Sequence, residues 1–296
     1  IQLPQDWQAE KQNVQQQTAQ LLQEAAQLYQ AQKAEPYLGP VLLTPSAAAD
    51  FINRLLVKNV RNVKPLLSSQ RENDPTAGAF RDKTGMRVMS NVVDVYDKPL
   101  QREYNGVPLA GFMPVDDEGV QAQDLTVVSG GKLHQLPLSR RSASQGQPSN
   151  GHARMNGYTL PREALTNVFV QAKAPLTQQE MEDKLLARCR ELELDYCYIL
   201  KEFPSGRRGT DNVVNVAERI YTKDGRREPV FGLKISELST RSLRDILAAG
   251  DDARLSFTQD PEFRDYSLVV PSLLVDEIEI LPSDKKADRK PFVPKP

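Results

Sequence analysis

The sequence predicts an α+β domain, an antiparallel-rich β-sheet core with flanking helices. Three observations point there. Strand-like segments outnumber helical ones, several are joined across hairpin-type turns such as Gly130-Gly131 and Asp224-Gly225, and neither a repeat nor a composition break marks a second core. Strands linked by short turns pair with their sequence neighbours, and a few amphipathic helices then cover the sheet.

From Gln5 to Lys33 the chain has no Gly or Pro and is dominated by Gln, Ala, Leu, Glu and Lys, all good helix formers. Val14, Leu21, Leu22, Ala25, Leu28 and Tyr29 fall on one stripe at three- and four-residue spacing. The expectation is a long amphipathic helix with its linker over residues 1–38. Pro36, Gly39 and Pro40 end it, and Val41-Leu42-Leu43 suits a buried strand. Thr44-Pro45 then reads as an N-cap followed by Pro at the first helical position, with Phe51, Ile52, Leu55, Leu56 and Val60 as the inward face.

Residues 68–86 are polar and turn-rich, an exposed loop, and Arg87–Val95 returns to a strand pattern. Tyr104–Gly119 is punctuated by Gly and Pro, and its acidic run Asp116-Asp117-Glu118 reads as a solvated turn. Leu125–Leu138 is a hairpin about Gly130-Gly131, and Ser139–Gly157 a long irregular loop of the kind that carries function. After a strand at Asn167–Gln171, Thr177 and Glu180 form a capping-box signature for a helix over Gln178–Leu192. Strands are predicted at Tyr196–Leu200, Val213–Tyr221, Val230–Ile235, Arg254–Phe257 and Ser272–Ile280, with a short helix at Leu243–Ala249 stopped by Gly250. The domain therefore spans 39–281, and the Lys- and Pro-rich residues 282–296 form a flexible tail.

Composition narrows the function classes. In 296 residues, 38 Lys and Arg balance 39 Asp and Glu, so the chain generates no global field for a phosphate backbone, and nucleic acid is disfavoured as the main ligand. No segment approaches the roughly 18 consecutive apolar residues of a membrane helix, and a cytoplasmic protein is expected.

The imidazole and thiol inventory is His134, His152, Cys189 and Cys197, at no spacing typical of a zinc site. Cys189 sits among Leu185, Leu186 and Leu192, and both cysteines read as core thiols in a reduced compartment. Arg140-Arg141 and Arg207-Arg208 read as solvated cation pairs, and phosphate-binding glycine loops are absent. His152, in the Ser- and Gly-rich loop beside Asn150, Gly151 and Arg154, is the histidine best placed to meet a substrate or partner.

Several segments, in order, resemble the C-terminal domain of the TldD/PmbA family, also called modulators of DNA gyrase. They are GPVLLTPSAAADFINRLL from Gly39 to Leu56, PLAGFMPVDDEGVQAQDLTVVSGGKLHQLPLSRRSA from Pro108 to Ala143, PSNGHAR from Pro148, TNVFVQAKAPLTQQEM from Thr166, LRDILAAGDDARL from Leu243 and PSLLVDEIEI from Pro271. The resemblance implies a longer protein with an α/β domain ahead of Ile1. It also implies zinc peptidase chemistry in TldD-type subunits, where an H-E-x-x-x-H helix and a later cysteine hold the metal.

Here Thr44 and Ala49 stand at the histidine positions, Pro45 stands at the glutamate, and the segment just before PSLLVDEIEI contains no cysteine. None of the three can bind or activate a metal-held water. The pattern is similar to the PmbA (TldE) type, which implies a non-catalytic subunit with no metal of its own. Zinc is then expected in a TldD-like partner, with a dimer, homomeric or mixed, acting on peptides. Ser149, Asn150, Gly151 and His152, with Thr166 and Asn167 of the next strand, are the expected peptide contacts, since a polar loop beside a strand can hold an extended chain. Two alternatives stand beside this: a peptidase whose metal is held by His134, His152 and carboxylates of Asp116, Asp117 or Glu118, and a binding regulator of a DNA-processing enzyme such as gyrase.

Overall fold

A computed structural model describes residues 31–61, 78–142, 147–155, 160–203, 213–214, 217–236, 238–259 and 265–283, with isolated helical positions between 11 and 22. The expected tail begins inside the described residues, with Pro282 ending a strand, whereas its residues beyond Ser283, most of the N-terminal helix and the Arg207-Arg208 pair lie outside them.

Two mixed sheets face one another. The principal strands are β1 (Tyr37–Leu43), β2 (Val93–Asp97), β3 (Leu125–Ser129), β4 (Asn167–Ala172), β5 (Tyr196–Leu200), β6 (Ala217–Tyr221), β7 (Arg227–Phe231), β8 (Leu233–Ile235), β9 (Ile246–Ala249), β10 (Arg254–Thr258), β11 (Tyr266–Val270) and β12 (Leu273–Pro282). The larger sheet runs β7-β6-β5-β1-β12-β8, with β9 also on β12, and the smaller runs β10-β11-β4-β2-β3 and ends on Lys132–Leu133. Antiparallel pairs dominate, but β1 pairs β5 and β4 pairs β11 in parallel.

Helix α1 (Pro45–Leu55) lies within the shared core, with Ala47, Ala48, Phe51 and Ile52 fully buried between the sheets. Helix α2 (Gln178–Glu191) covers the opposite face of the larger sheet. Period-two alternation divides the strands accordingly. Val41 and Leu43 of β1, with Tyr198 and Leu200 of β5, face α1, whereas Leu42, Cys197 and Ile199 join Met181, Leu185 and Cys189 beneath α2. Both cysteines are free and buried, in keeping with core thiols.

Four expectations need correction. Leu243–Ala249 is not a helix: Thr240–Asp245 is a 3₁₀ turn and Ile246–Ala249 is β9, because pairing with Leu273–Val275 of β12 outweighs the helix propensity of Leu and Ala. Val230–Ile235 is two strands on different neighbours. Gly232, at a φ of +68°, turns the chain so that β7 pairs β6 and β8 pairs β12. The strand β11 is not expected from sequence. Finally, the acidic run is no free turn: Asp116 is buried and its carboxylate accepts N–H bonds from Glu118, Val120 and Ala153.

Candidate functional site

The start of α1 follows directly from β1 and is set by tertiary bonds. Thr44 stands at the N-cap with extended backbone, but its hydroxyl makes no cap bond and donates to the Lys201 carbonyl at 3.3 Å, while its N–H donates to Leu200 at 3.0 Å. Pro45 and Ala49 are buried. The Thr44, Pro45 and Ala49 positions therefore supply one half-buried hydroxyl and two apolar groups against a close-packed interior. Among the described residues, no group of three or more His, Cys, Asp or Glu side chains is placed to hold a metal ion.

The densest polar arrangement lies elsewhere, where β2 ends, β4 begins and the 147–155 segment passes beneath them. Asp97 closes β2. Its carboxylate accepts the Thr166 N–H at 3.0 Å, the Thr166 hydroxyl at 3.0 Å, the Asn167 N–H at 2.7 Å and His152 Nε2 at 3.1 Å. His152 Nδ1 faces the Asn150 carbonyl at 2.9 Å. A carbonyl can only accept, so Nδ1 donates to Asn150, and Nε2 lies within hydrogen-bond distance of the Asp97 carboxylate. Asp97, His152, Thr166 and Asn167 are all 0% exposed.

Asn150 and Asn167 tie this knot to its surroundings. The Asn150 side chain accepts the Leu138 N–H at 2.7 Å and donates to the Leu136 carbonyl at 2.9 Å. Asn167 Oδ1 accepts the Gly111 N–H at 2.9 Å, and its amide donates to Lys98 and Gln101. Two glycines are needed for so close an approach. A Cβ at Gly111 would lie 2.2 Å from the Thr166 carbonyl oxygen, and Gly151 combines a φ of +74° with a Cβ position 2.4 Å from the Gln121 carbonyl oxygen.

The six expected peptide contacts are thus brought together, but by bonding mainly inward. Ser149 donates to the Leu138 carbonyl at 3.0 Å and is half-buried, and the other five are buried. Ser149 and Asn150 also line a cavity of about 430 Å³, walled by Gln123, His134, Gln135 and Leu136 and reaching Arg81 and Asp82. The alternative metal set is not assembled: His134 opens into the cavity, His152 is enclosed with Asp97, and Asp116 holds loop N–H groups. Sequence reasoning missed Asp97, 55 residues from His152. Its one signal was a carboxylate at the end of a valine-patterned strand.

Residues 37–281 match the family described as the PmbA/TldA metallopeptidase C-terminal domain. The chain belongs to the PmbA/TldD family. A protein from Archaeoglobus fulgidus named "Metalloprotease" is 29% identical over 115 residues, 39% of this chain and 24% of that protein. Among solved structures, a Thermotoga maritima protein described as a modulator of a DNA gyrase has a TM-score of 0.61 at 18% identity, covering 87% of this chain and 53% of its own. TldE from Thermococcus kodakarensis has a TM-score of 0.59 at 14% identity, covering 88% of this chain and 53% of its own. The chain thus spans about half the length of these solved relatives.

The family model is described as a metallopeptidase domain, and α1 is where the resemblance places metal ligands. The groups at Thr44, Pro45 and Ala49 do not fit a zinc ion: one hydroxyl is engaged with Lys201, and the other two side chains have no donor atom. Among the described residues, no helix is long and apolar enough to cross a membrane.

Proposed function

We infer that this chain is the metal-free, non-catalytic subunit of a PmbA/TldD-type metallopeptidase assembly acting on peptides in the cytoplasm. The observation that carries this reading is the start of α1, where backbone bonds and apolar packing occupy the family's ligand positions. Zinc belongs to a TldD-like partner, and this chain contributes contact surface for the dimer and for peptide. The cavity beside Ser149 and Asn150 is the surface through which peptide is met.

Purification from the native cell, with mass spectrometry of co-purifying chains and metal analysis, tests this. A TldD-like chain should accompany the protein and carry the zinc, and the isolated chain should hold far less than one zinc and cleave no peptide. Stoichiometric zinc on the isolated chain together with peptide cleavage would overturn the reading.

A further inference from the structure

Beneath α2 the chain brings its two thiols to one place. Cys189 stands in the last turn of α2 and Cys197 is the second residue of β5, and both are 0% exposed in the same apolar cluster. The Cys197 Sγ lies 4.0 Å from the Leu185 carbonyl. Leu185 is one helical turn before Cys189, so that carbonyl is the one at which the Cys189 N–H points within the helix. The Cys197 sulfur is therefore set against the very turn that carries Cys189. The connection between them is pinned there too, since the Leu194 N–H donates to the Cys189 carbonyl at 2.9 Å. On the other side, the Tyr37 hydroxyl lies 3.8 Å from Cys189 Sγ.

Packing alone asks only that the thiols be buried. Here they also meet, and the contact makes them unequal. The Cys197 S–H, bonding to Cys189, holds the Cys189 thiol below the usual range, while the same bond and then burial push the Cys197 thiol up. One sulfur is thus the better nucleophile and the other keeps its proton, as in pairs where one cysteine attacks and its neighbour resolves. Helix ends open more readily than helix centres, and α2 ends at the exposed residues Glu191 and Leu192 before the chain turns through Glu193 at a φ of +55°.

We propose that Cys189 and Cys197 form a reversible disulfide, a redox modification site whose substrate is a small hydroperoxide admitted when the last turn of α2 opens. The Cys189 sulfur attacks the terminal peroxide oxygen and the O–O bond breaks. The thiol proton leaves with the departing oxygen as water or an alcohol, and Cys189 becomes a sulfenic acid. The Cys197 sulfur then attacks the Cys189 sulfur: the S–S bond forms, the S–O bond breaks, and the hydroxyl leaves with the Cys197 proton as water. The sulfurs together lose the electron pair that the hydroperoxide gains, and a dithiol reductant reverses the change. The bond ties the end of α2 to β5, and in a reducing compartment it forms only transiently, under oxidant. This adds to the subunit reading and does not depend on it.

The test is treatment of the whole folded chain with hydrogen peroxide, followed by quenching and mass spectrometry. Trypsin cuts after Arg188, Arg190 and Lys201, so the disulfide should appear as the Cys189-Arg190 fragment joined to the fragment from Glu191 to Lys201, lighter by the hydrogen lost from each sulfur. Dithiothreitol should separate the two. Cys197→Ala should stop at a Cys189 sulfenic acid that dimedone captures, and Cys189→Ala should react about tenfold more slowly than Cys197→Ala. Amide hydrogen exchange at the end of α2 should slow in the oxidised chain.

Thiols that stay intact until denaturant is added, a disulfide between chains instead of within one, or two variants that react at equal rates would each overturn the proposal. Mapping on the parent chain needs no substitution, so the first two outcomes decide the matter even where a variant unfolds the core.

Discussion

The start of α1 and the Asp97–His152 knot are opposite kinds of buried site. The first stands where the resemblance places metal ligands and offers Thr44, Pro45 and Ala49 to a packed core instead. The second holds the types of group that catalysis uses, an imidazole, a carboxylate and a hydroxyl, yet encloses them completely. Neither position nor residue type alone makes a working centre. One offers a single engaged hydroxyl, the other encloses its polar groups, and both hold neighbouring elements together.

The knot is the more consequential of the two. His152 is held through both ring nitrogens, by the Asn150 carbonyl and by Asp97, while Asp97 also anchors the first residues of β4. Asp97→Asn replaces one acceptor oxygen by an amide that confronts N–H donors. Each buried donor left without its acceptor typically costs roughly 1–3 kcal/mol, and several donors meet Asp97. A loss of that order should appear in urea unfolding, with the 147–155 segment becoming protease-sensitive. A loss below about 1 kcal/mol, the scale of an exposed pair, would show that the knot is solvated and that its contrast with α1 is false.

A smaller effect is expected at α1. Ala49 packs at 2% exposure, so Ala49→His forces an imidazole into filled space. Overpacking of this kind costs typically 1–3 kcal/mol. The combined Thr44→His, Pro45→Glu and Ala49→His variant should be less stable still and should recover no tight zinc site in metal analysis, because the cysteine that the resemblance calls for is absent and Pro45 and Ala49 are buried. Stoichiometric zinc in that variant would mean that α1 is a dormant centre rather than a rebuilt one.

The two regions also differ in how much of them sequence could reveal. The α1 start was visible as strand-then-Thr-Pro, and its meaning came from the family resemblance at Thr44, Pro45 and Ala49. The knot has the sequence of an irregular loop, because its own residues, Ser149 to Arg154, are mostly polar and include a glycine. What buries it comes from Asp97 and Thr166, 55 and 69 residues from their partners. Local patterning carries no record of such partners.

The same limit explains the fold errors. Tyr266–Val270 ends at Pro271, which looks like a breaker, but the strand is stabilised by parallel pairing with β4 and antiparallel pairing with β10. Ile246–Ala249 has helix-forming residues but an open strand, β12, beside it. The hairpins and α2 were legible because turn and cap signals act within a few residues.

That locality gives the smallest prediction, at the helix whose start contrasts with α1. At α2 the cap is self-contained: Thr177 accepts the Glu180 N–H through its side chain, and Glu180 accepts the Thr177 N–H and hydroxyl, both at 2.8 Å. Thr177→Ala should cost about 1 kcal/mol, as loss of an N-cap side chain usually does. The Glu180 carboxyl is held below the usual glutamate range, first by the Thr177 N–H and then by its hydroxyl. A depressed carboxyl stabilises the fold above its unfolded pKa, and that stabilisation is lost as pH falls through the folded value. Compared with Glu180→Gln, which keeps the capping geometry but cannot titrate, the parent should lose its advantage progressively as pH falls below the ordinary carboxylate range. A pH-independent difference between the two unfolding curves would show that Glu180 acts through shape alone. At Thr44, where no side-chain cap exists, a Thr44→Val substitution should give no such acid-dependent component, so the two helix starts should separate by pH as they do by geometry.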